Sequence, residues 1–384
     1  MQAIHRHHNS HHAWHHILES VGAFIKNNVV LVIAFSLAIA TSVIVSPDRE
    51  YIGYFDFKTL TCLFCVLAVV CALKNVKFFT VLATKIVKLF KNTRGAILAL
   101  VYVTFIGSML IANDMALLTF LPLGYVVLTT TGQKRLMAFT FIMQNVAANL
   151  GGMLTPFGNP QNLYLYSAFN IPTLDFMAVM LIPFLASVTL ITICCLFIKK
   201  QPLVLEEETV VLPKKRVAIY MVLFALSIVI VFRIIPYWIG LIVIPLSLII
   251  LDRKALKQVD YALLFTFVCF FIFAGNMARI EAVKDFFSLL ISKNPLAVSA
   301  LSCQVISNVP SAILLSKFTS NWQALLVGVN IGGCGTLISS LASLITFKEY
   351  VKHNPGKTLK YVGIFSAFNF SFLAVLIVIS LLIL

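Results

Sequence analysis

Charged residues are scarce in this chain. Asp, Glu, Lys and Arg make up 11% of its 384 residues, whereas 60% are hydrophobic; a typical soluble domain has about 25% charged residues. The longest polar loop, 199–216, is too short for a sizeable soluble domain. Apolar runs of 16 to 25 residues alternate with short basic loops. The sequence therefore predicts an all-α polytopic membrane protein.

Signatures of catalysis are also absent. The sequence has no HExxH, GxSxG or P-loop motif, and no histidine lies inside a predicted span. This argues against an intramembrane hydrolase and against ATP hydrolysis by the chain itself. Cys62 and Cys65 have a CxxC spacing without a second pair or a histidine, so they are interpreted as buried packing residues. No enzyme activity, metal site or cofactor is predicted.

The net charge of +15 has two interpretations. On a soluble protein it would suggest nucleic acid as a partner. In a polytopic membrane protein, lysine and arginine concentrate in cytoplasmic loops and fix the topology. The second interpretation is favoured, so the lipid bilayer and not nucleic acid is the expected partner.

One apolar segment is interrupted by helix breakers. Residues 149–162 read NLGGMLTPFGNPQN, in which glycine and proline both disfavour a continuous helix. A second copy, NIGGCGTLISSLAS at 330–343, follows 181 positions later and aligns Asn149 with Asn330. Paired interruptions in two halves of a membrane protein indicate a transporter's binding site.

The order of predicted elements recurs along the chain. Each half has two spans, an amphipathic interfacial helix, an interrupted hairpin, a broken segment and a further span. The spans are predicted at 29–45, 57–73, 174–198, 217–234, 237–251, 260–274 and 359–384; the interfacial helices at 76–92 and 277–293; the hairpins at 95–130 and 295–319; and the broken segments at 136–170 and 322–347.

This order predicts two transmembrane repeats of inverted topology. The first is 28–199 and the second is 236–384, with a loop and a linking transmembrane helix at 200–235. The His-rich stretch 1–27 is expected to be a cytoplasmic N-terminus without a role in transport, or alternatively a metal-loading or metal-sensing tail.

The orientation follows from the basic residues. With a re-entrant hairpin in each half, 22 of the 29 lysines and arginines lie on the side of the N-terminus. That side is therefore predicted to be cytoplasmic and the C-terminus to be outside, in a plasma (inner) membrane. Two full spans in place of a hairpin would give the same number of basic residues on each side. A polar bend inside the membrane, however, needs protein or water around it, which favours a re-entrant hairpin.

Both hairpin bends and both helix breaks are predicted to meet near the midplane. Their small polar side chains suit an oxyanion or a hard cation, and exposed helix ends add to this; the alternative is that they only hold helices together. The predicted substrate-binding residues are Asn113, Thr155, Asn159, Asn162, Ser307, Asn308, Thr336 and Ser340. The predicted coupling-ion residues are Asn113, Asp114, Asn149, Gly158, Asn308 and Asn330.

Asp114 is exceptional among the fourteen acidic residues, because it alone lies deep inside an apolar segment. Intramembrane carboxylates are costly and usually functional. It is expected to bind Na⁺ or carry a proton, or alternatively to accept helix-end amides as a structural cap.

Four segments carry a resemblance to a known family. The chain resembles the ion transporter superfamily, which groups divalent anion–sodium symporters, citrate transporter-like proteins, arsenite permeases and a sodium/proton antiporter branch. The segments are IANDMALLTFLPL (111–123), GGMLTPFGNPQN (151–162), SNVPSAILL (307–315) and GTLISSLASLITF (335–347). The resemblance implies re-entrant hairpins, a homodimer and an elevator-like motion. It also implies that the tip asparagines, Asn113 and Asn308, line substrate and sodium sites.

The two tips depart from part of that family. Dicarboxylate symporters carry Ser-Asn-Thr at both tips, whereas here they read Ala112-Asn113-Asp114 and Ser307-Asn308-Val309. The leading hypothesis is an ion-coupled (Na⁺ or H⁺) secondary transporter of a small anion, a di- or tricarboxylate such as citrate. Within the class the alternatives are arsenite or antimonite efflux and Na⁺/H⁺ antiport, and outside it a passive anion channel.

Overall fold

The computed structural model of the chain describes residues 28–203 and 212–384, together with Gly22 and Ile25. The His-rich N-terminus predicted at 1–27 falls outside these ranges except for those two residues. The described ranges contain α-helices and short 3-10 helices and no β-strand. The predicted all-α fold is therefore confirmed.

The helices of the described ranges are numbered α1 to α18 in chain order. In the first half they are α1 (Val29–Ile44), α2 (Phe57–Asn75), α3 (Phe78–Lys88), α4 (Thr93–Ile111), α5 (Asn113–Thr130), α6 (Met137–Gly151), α7 (Pro160–Ala168) and α8 (Thr173–Leu196). In the rest they are α9 (Lys214–Val231), α10 (Tyr237–Leu251), α11 (Arg253–Lys257), α12 (Tyr261–Arg279), α13 (Glu281–Lys293), α14 (Pro295–Ile306), α15 (Asn308–Leu315), α16 (Trp322–Ile331), α17 (Leu341–His353) and α18 (Thr358–Leu381).

Most helix boundaries agree with the sequence prediction to within a few residues. Among the short helices that the sequence did not predict are the 3-10 helix Arg49–Tyr54 and α11, where loops were expected. Both begin with an aspartate cap, because Asp48 accepts from the amide of Glu50 and Asp252 from the amides that follow it. Helix α17 also continues beyond the predicted end at 347, where Glu349 pairs with residues three and four positions later.

Several helices can cross a bilayer. In the described ranges, five are long and apolar enough by length and composition: Phe57–Asn75, Thr93–Ile111, Thr173–Leu196, Tyr261–Arg279 and Thr358–Leu381. The long helices α8 and α18 leave most of their apolar side chains uncovered, as expected for helices that face lipid. The chain is a multi-pass membrane protein.

The described chain divides into two compact units. One consists of residues up to Phe55 together with Asp260–Ile280, and the other of Asp56–Val259 with Glu281–Leu384. In the smaller unit α1 packs along α12, and the buried amide of Asn276 donates to the hydroxyls of Thr41 and Ser42, each at 3.2 Å. Arg279 pairs with Asp48 at 2.7 Å and lowers the pKa of that carboxyl.

The larger unit contains both hairpins and both broken helices. Helix α6 packs against both arms of the first hairpin, α4 and α5, and α16 packs against both arms of the second, α14 and α15. All residues of α6 from 140 to 151 are buried. The interrupted segments therefore form the interior of this unit, with α8 and α18 packed beside them.

Candidate functional site

The two hairpins turn through the same unusual backbone conformation. Ala112 separates α4 from α5 with φ 63° and ψ 157°, and Ser307 separates α14 from α15 with φ 73° and ψ 159°. Non-glycine residues rarely adopt this region, so the surrounding structure must hold it in place. In both tips the next residue is an asparagine whose Oδ1 accepts the following backbone N–H, at 3.0 Å for Asn113 and 2.9 Å for Asn308.

Each broken helix contacts its own hairpin in the same way. The Thr155 hydroxyl donates to the carbonyl of Met109 in α4 at 3.1 Å, and the Thr336 hydroxyl donates to the carbonyl of Gln304 in α14 at 3.0 Å. Both acceptors lie three residues before the tip of their hairpin, and the two threonines align in the repeat. This equivalence supports the predicted repeat, whose inverted orientation across the bilayer stays a prediction.

Glycines allow these segments to approach closely. A Cβ at Gly151 would lie 2.3 Å from the carbonyl oxygen of Phe105, and one at Gly332 would lie 2.9 Å from the carbonyl oxygen of Ala300. Both distances are too short for a real contact. Only glycine fits where the end of each first half-helix crosses its hairpin.

Asn149 lies at the centre of the hydrogen-bond network of the candidate site. Its Oδ1 accepts from the Ser340 hydroxyl at 2.7 Å and from Asn113 Nδ2 at 3.2 Å, and its Nδ2 donates to the carbonyl of Gly333 at 3.3 Å. A Cβ at Gly333 would lie 3.4 Å from Asn308 Nδ2. One buried side chain thus joins the first tip to the second broken helix, close to the second tip.

Asn330 makes the reciprocal connection. Its Nδ2 donates to Asn162 Oδ1 at 2.6 Å, and its Oδ1 accepts from Asn159 at 3.4 Å and Gln161 at 3.3 Å. Because Asn149 aligns with Asn330 and Asn159 with Ser340, the same two positions bond across the halves in both directions. Each helix break therefore forms hydrogen bonds with an asparagine side chain from the other half of the chain.

The structure brings the predicted site residues into this one region. Asn159 and Asn162 also bond to backbone carbonyls of the first break, and Ser307 donates to the carbonyl of Ser339 at 3.3 Å. Gly158 has no room for a side chain, since a Cβ would lie 2.3 Å from the carbonyl oxygen of Gly152. The predicted residues found here are Asn113, Asn149, Thr155, Gly158, Asn159, Asn162, Ser307, Asn308, Asn330, Thr336 and Ser340.

Asp114 lies beside this network and is partly buried. It occupies the first turn of α5 and follows Asn113 directly. A carboxylate is favoured at this end of a helix by the helix dipole. Its place at the tip agrees with both predicted roles, coupling and capping.

Two further residues were not singled out from the sequence. Gln304 donates to the carbonyl of Gly332 at 2.9 Å and accepts from the amide of Thr336 at 2.9 Å. Asn145 accepts from the Thr346 hydroxyl at 3.3 Å. The sequence contained a signal for both residues. Gln304 is a polar residue just before the second tip, and Asn145 lies one helical turn before Asn149, on the same face of the helix.

The network is formed by neutral side chains, and its electrostatics come from amides and helix ends. Helices α5, α7, α15 and α17 all begin here, and helix N-termini carry a partial positive charge that favours an anion. Two buried oxygens, Asn159 Oδ1 and Gln161 Oε1, accept no hydrogen bond from the described residues. Such oxygens are ligands suited to a hard cation. The described residues contain no group of three His, Cys, Asp or Glu residues placed to bind a metal ion.

Comparison with known proteins gives a consistent family. A family model described as citrate transporter matches residues 17–324. An uncharacterized transporter of Methanocaldococcus jannaschii is 34% identical over 307 residues, which is 79% of this chain and 84% of that protein. An inner membrane protein of Escherichia coli is 30% identical over 285 residues, 71% of this chain and 74% of that protein. The chain therefore belongs to the citrate transporter family, within the ion transporter superfamily that its interrupted segments resemble.

Proposed function

We propose that this chain is an ion-coupled secondary transporter of a small anion, a di- or tricarboxylate such as citrate, driven by Na⁺ or H⁺. The observation that carries the proposal is the buried network around Asn149 and Asn330, in which four helix N-termini and many neutral donors meet. Amides, hydroxyls and helix ends can bind a carboxylate without a lysine or arginine. Release on the other side then needs no strong ion pair to be broken.

The same network offers a place for the coupling ion. Asn159 Oδ1 and Gln161 Oε1 are buried amide oxygens without a hydrogen-bond donor in the described part of the chain. Oxygens of this kind coordinate Na⁺ when they replace part of its water shell. The proposed ion site is accordingly the first helix break, at 156–160, which contains two prolines. The tips at Asn113 and Asn308 are proposed to contact the anion.

The proposed architecture follows from the repeat. The two hairpins are re-entrant, the two halves are inverted, and the hairpins with the broken helices move as an elevator against the remaining helices of a homodimer. The N-terminus is cytoplasmic and the C-terminus is outside, in a plasma (inner) membrane.

Reconstitution into liposomes tests the function. Uptake of labelled citrate, succinate and arsenite is measured with and without a Na⁺ or pH gradient, against protein-free liposomes. Accumulation of a carboxylate that requires one of the gradients is expected. Arsenite movement alone would favour the efflux permease, proton flux driven by Na⁺ alone would favour the antiporter, and gradient-independent flux at channel rates would overturn the transporter.

The tip asparagines are expected to be required for transport. Asn113→Ala removes a bond to Asn149, and Asn308→Ala removes the amide that lies beside Gly333. Each variant should lower the initial uptake rate about fivefold or more, the effect of about one buried hydrogen bond. The exposed Asn75→Ala is the matched control and should transport normally. Intact transport in both tip variants would show that the site does not lie between the tips.

Asp114→Asn tests ion coupling. The substitution removes the charge and keeps the size of the side chain, so uptake should lose its dependence on the Na⁺ or pH gradient. Asp175 is the control, because it also lies in the first turn of a helix, α8, but is exposed. If uptake depends on the Na⁺ or pH gradient equally in Asp114→Asn and Asp175→Asn, the carboxylate of Asp114 serves only as a helix cap.

A further inference from the structure

A cavity lies between α3 and α5, apart from the hydrogen-bond network around Asn149 and Asn330. It has a volume of about 500 Å³, and Lys74 in the last turn of α2 also lines it. None of the residues that line it belongs to the network around Asn149 and Asn330. Its polar lining consists of two lysines and four threonines, and its apolar lining includes Leu118, Pro122 and Val126. The polar residues are Lys74, Thr80, Thr84, Lys88, Thr119 and Thr130.

The two lysines of this cleft are available to a ligand. Lys74 comes from the last turn of α2 and Lys88 from the last turn of α3. Neither takes part in an ion pair within the described residues, where the ion pairs involve Arg279, Lys352 and His353. Two cations from different helices therefore face one cavity without a described carboxylate to neutralise them.

The opposite wall is apolar and open. Leu118 and Val126 on α5 are 47% and 52% exposed, and the wall from 118 to 127 is roughly 13 Å long at the rise of an α-helix. The hydroxyls of the other three threonines, Thr84, Thr119 and Thr130, donate to carbonyls of their own helices at 2.8 Å. Thr80 is left as the hydroxyl that can donate to a ligand beside the lysines.

We propose that this cleft binds one anionic phospholipid of the bilayer. The lysines and Thr80 contact the phosphate, and an acyl chain lies along the apolar wall of α5. Charge selects the occupant, because the phosphate of a zwitterionic lipid is already neutralised by its own cationic headgroup, which the two lysines would repel. The apolar wall also selects it, because a small water-soluble anion would leave that surface exposed. Basic pockets between membrane helices are known to bind anionic headgroups.

The site has a structural consequence. Helix α5 is the second arm of the first hairpin, which begins at Asn113, whereas Lys74 and Lys88 belong to α2 and α3. A lipid in the cleft therefore joins the hairpin arm to its two neighbouring helices.

Lipid binding to the purified protein tests the proposal directly. Phosphatidylglycerol and phosphatidylcholine are titrated in detergent, and bound lipids are counted by native mass spectrometry. The tightest phosphatidylglycerol site should bind about 25-fold more weakly in K74Q/K88Q, since each lysine at a membrane surface contributes roughly a fivefold factor. The control K85Q/K91Q removes two exposed lysines of the same region that do not line the cleft, and it should bind as the unmodified protein does.

A second variant tests the cavity without changing charge. Val126→Trp places an indole in the cleft at an exposed position, so it should also remove the tight site. Equal loss in K74Q/K88Q and K85Q/K91Q would show a general surface-charge effect, and equal affinity for phosphatidylcholine would show non-specific apolar binding. Either result would overturn the lipid site. The measurement needs no transport, so it can fail or succeed independently of the proposed function.

Discussion

Replacing Asn149 with alanine is expected to lower the initial rate of substrate uptake about a hundredfold. The side chain makes three hydrogen bonds, to Ser340, Asn113 and the carbonyl of Gly333. Each buried hydrogen bond contributes about 1 kcal/mol, and a loss of about 3 kcal/mol in the positioning of the site corresponds to roughly a hundredfold in rate. The measurement is the initial rate of uptake into liposomes, with whichever of citrate, succinate or arsenite the unmodified protein transports.

Two companion variants make this result specific. Ser340→Ala removes one of the three bonds and should lower the rate about fivefold. Asn330→Ala removes the reciprocal connection and should resemble Asn149→Ala. A rate within twofold of normal in Asn149→Ala, in protein that keeps its melting temperature, would exclude Asn149 from the site.

Gly151→Ala is expected to have the largest effect on stability. The new Cβ would lie 2.3 Å from the carbonyl oxygen of Phe105 and 2.5 Å from Ser108 Oγ. The first atom is backbone and cannot rotate away, so the first hairpin must move from α6. Overpacking of this kind costs about 3 kcal/mol, which should lower the melting temperature in detergent by roughly 4 °C.

The control is another helical glycine. A Cβ at Gly363 in α18 would have no neighbouring atom within 4 Å, so Gly363→Ala should keep or slightly raise the melting temperature. Gly332→Ala should fall between the two, since its closest contact is 2.7 Å. Equal melting temperatures for the variants at Gly151 and Gly363 would contradict the close packing of α6 against the first hairpin.

The helices of this protein could be predicted because their signals are local. Apolar runs, a glycine pair and the prolines at 156 and 160 mark where helices run and where they stop. The two tips could be found for the same reason, since a polar tripeptide interrupts each hairpin. The missed helices, Arg49–Tyr54 and α11, lie in polar loops where the only signal was an aspartate cap.

The bonding within the site could not be predicted in this way. Asn149 and Ser340 are separated by 191 positions, and Asn159 bonds to Asn330 across 171. Which amide meets which hydroxyl depends on how the two halves pack, and no local pattern carries that information. The partners of Gln304 could not be predicted for the same reason, although its polarity near the second tip was visible. They are the carbonyls of Gly332 and Cys334, 28 and 30 residues further along.

The two tips are alike in backbone and different in side chain. Ser307 donates to the carbonyl of Ser339 at 3.3 Å, whereas Ala112 has no hydroxyl. The second tip is therefore attached to its broken helix by a bond that the first tip cannot make. The two half-sites are therefore not equivalent, as the proposed binding of an anion and a coupling ion at neighbouring positions would require.

The reciprocal bonds of Asn149 and Asn330 have a mechanical consequence. If the two halves rocked apart to open the site between them, the bonds to Ser340, Gly333, Asn159 and Gln161 would break together. Each buried group left without a partner costs about 1–3 kcal/mol, so such an opening would be steeply uphill. The hairpins and broken helices are instead expected to travel as one rigid body, and access to each side of the membrane would change at the outer boundary of that body, where fewer buried bonds are lost.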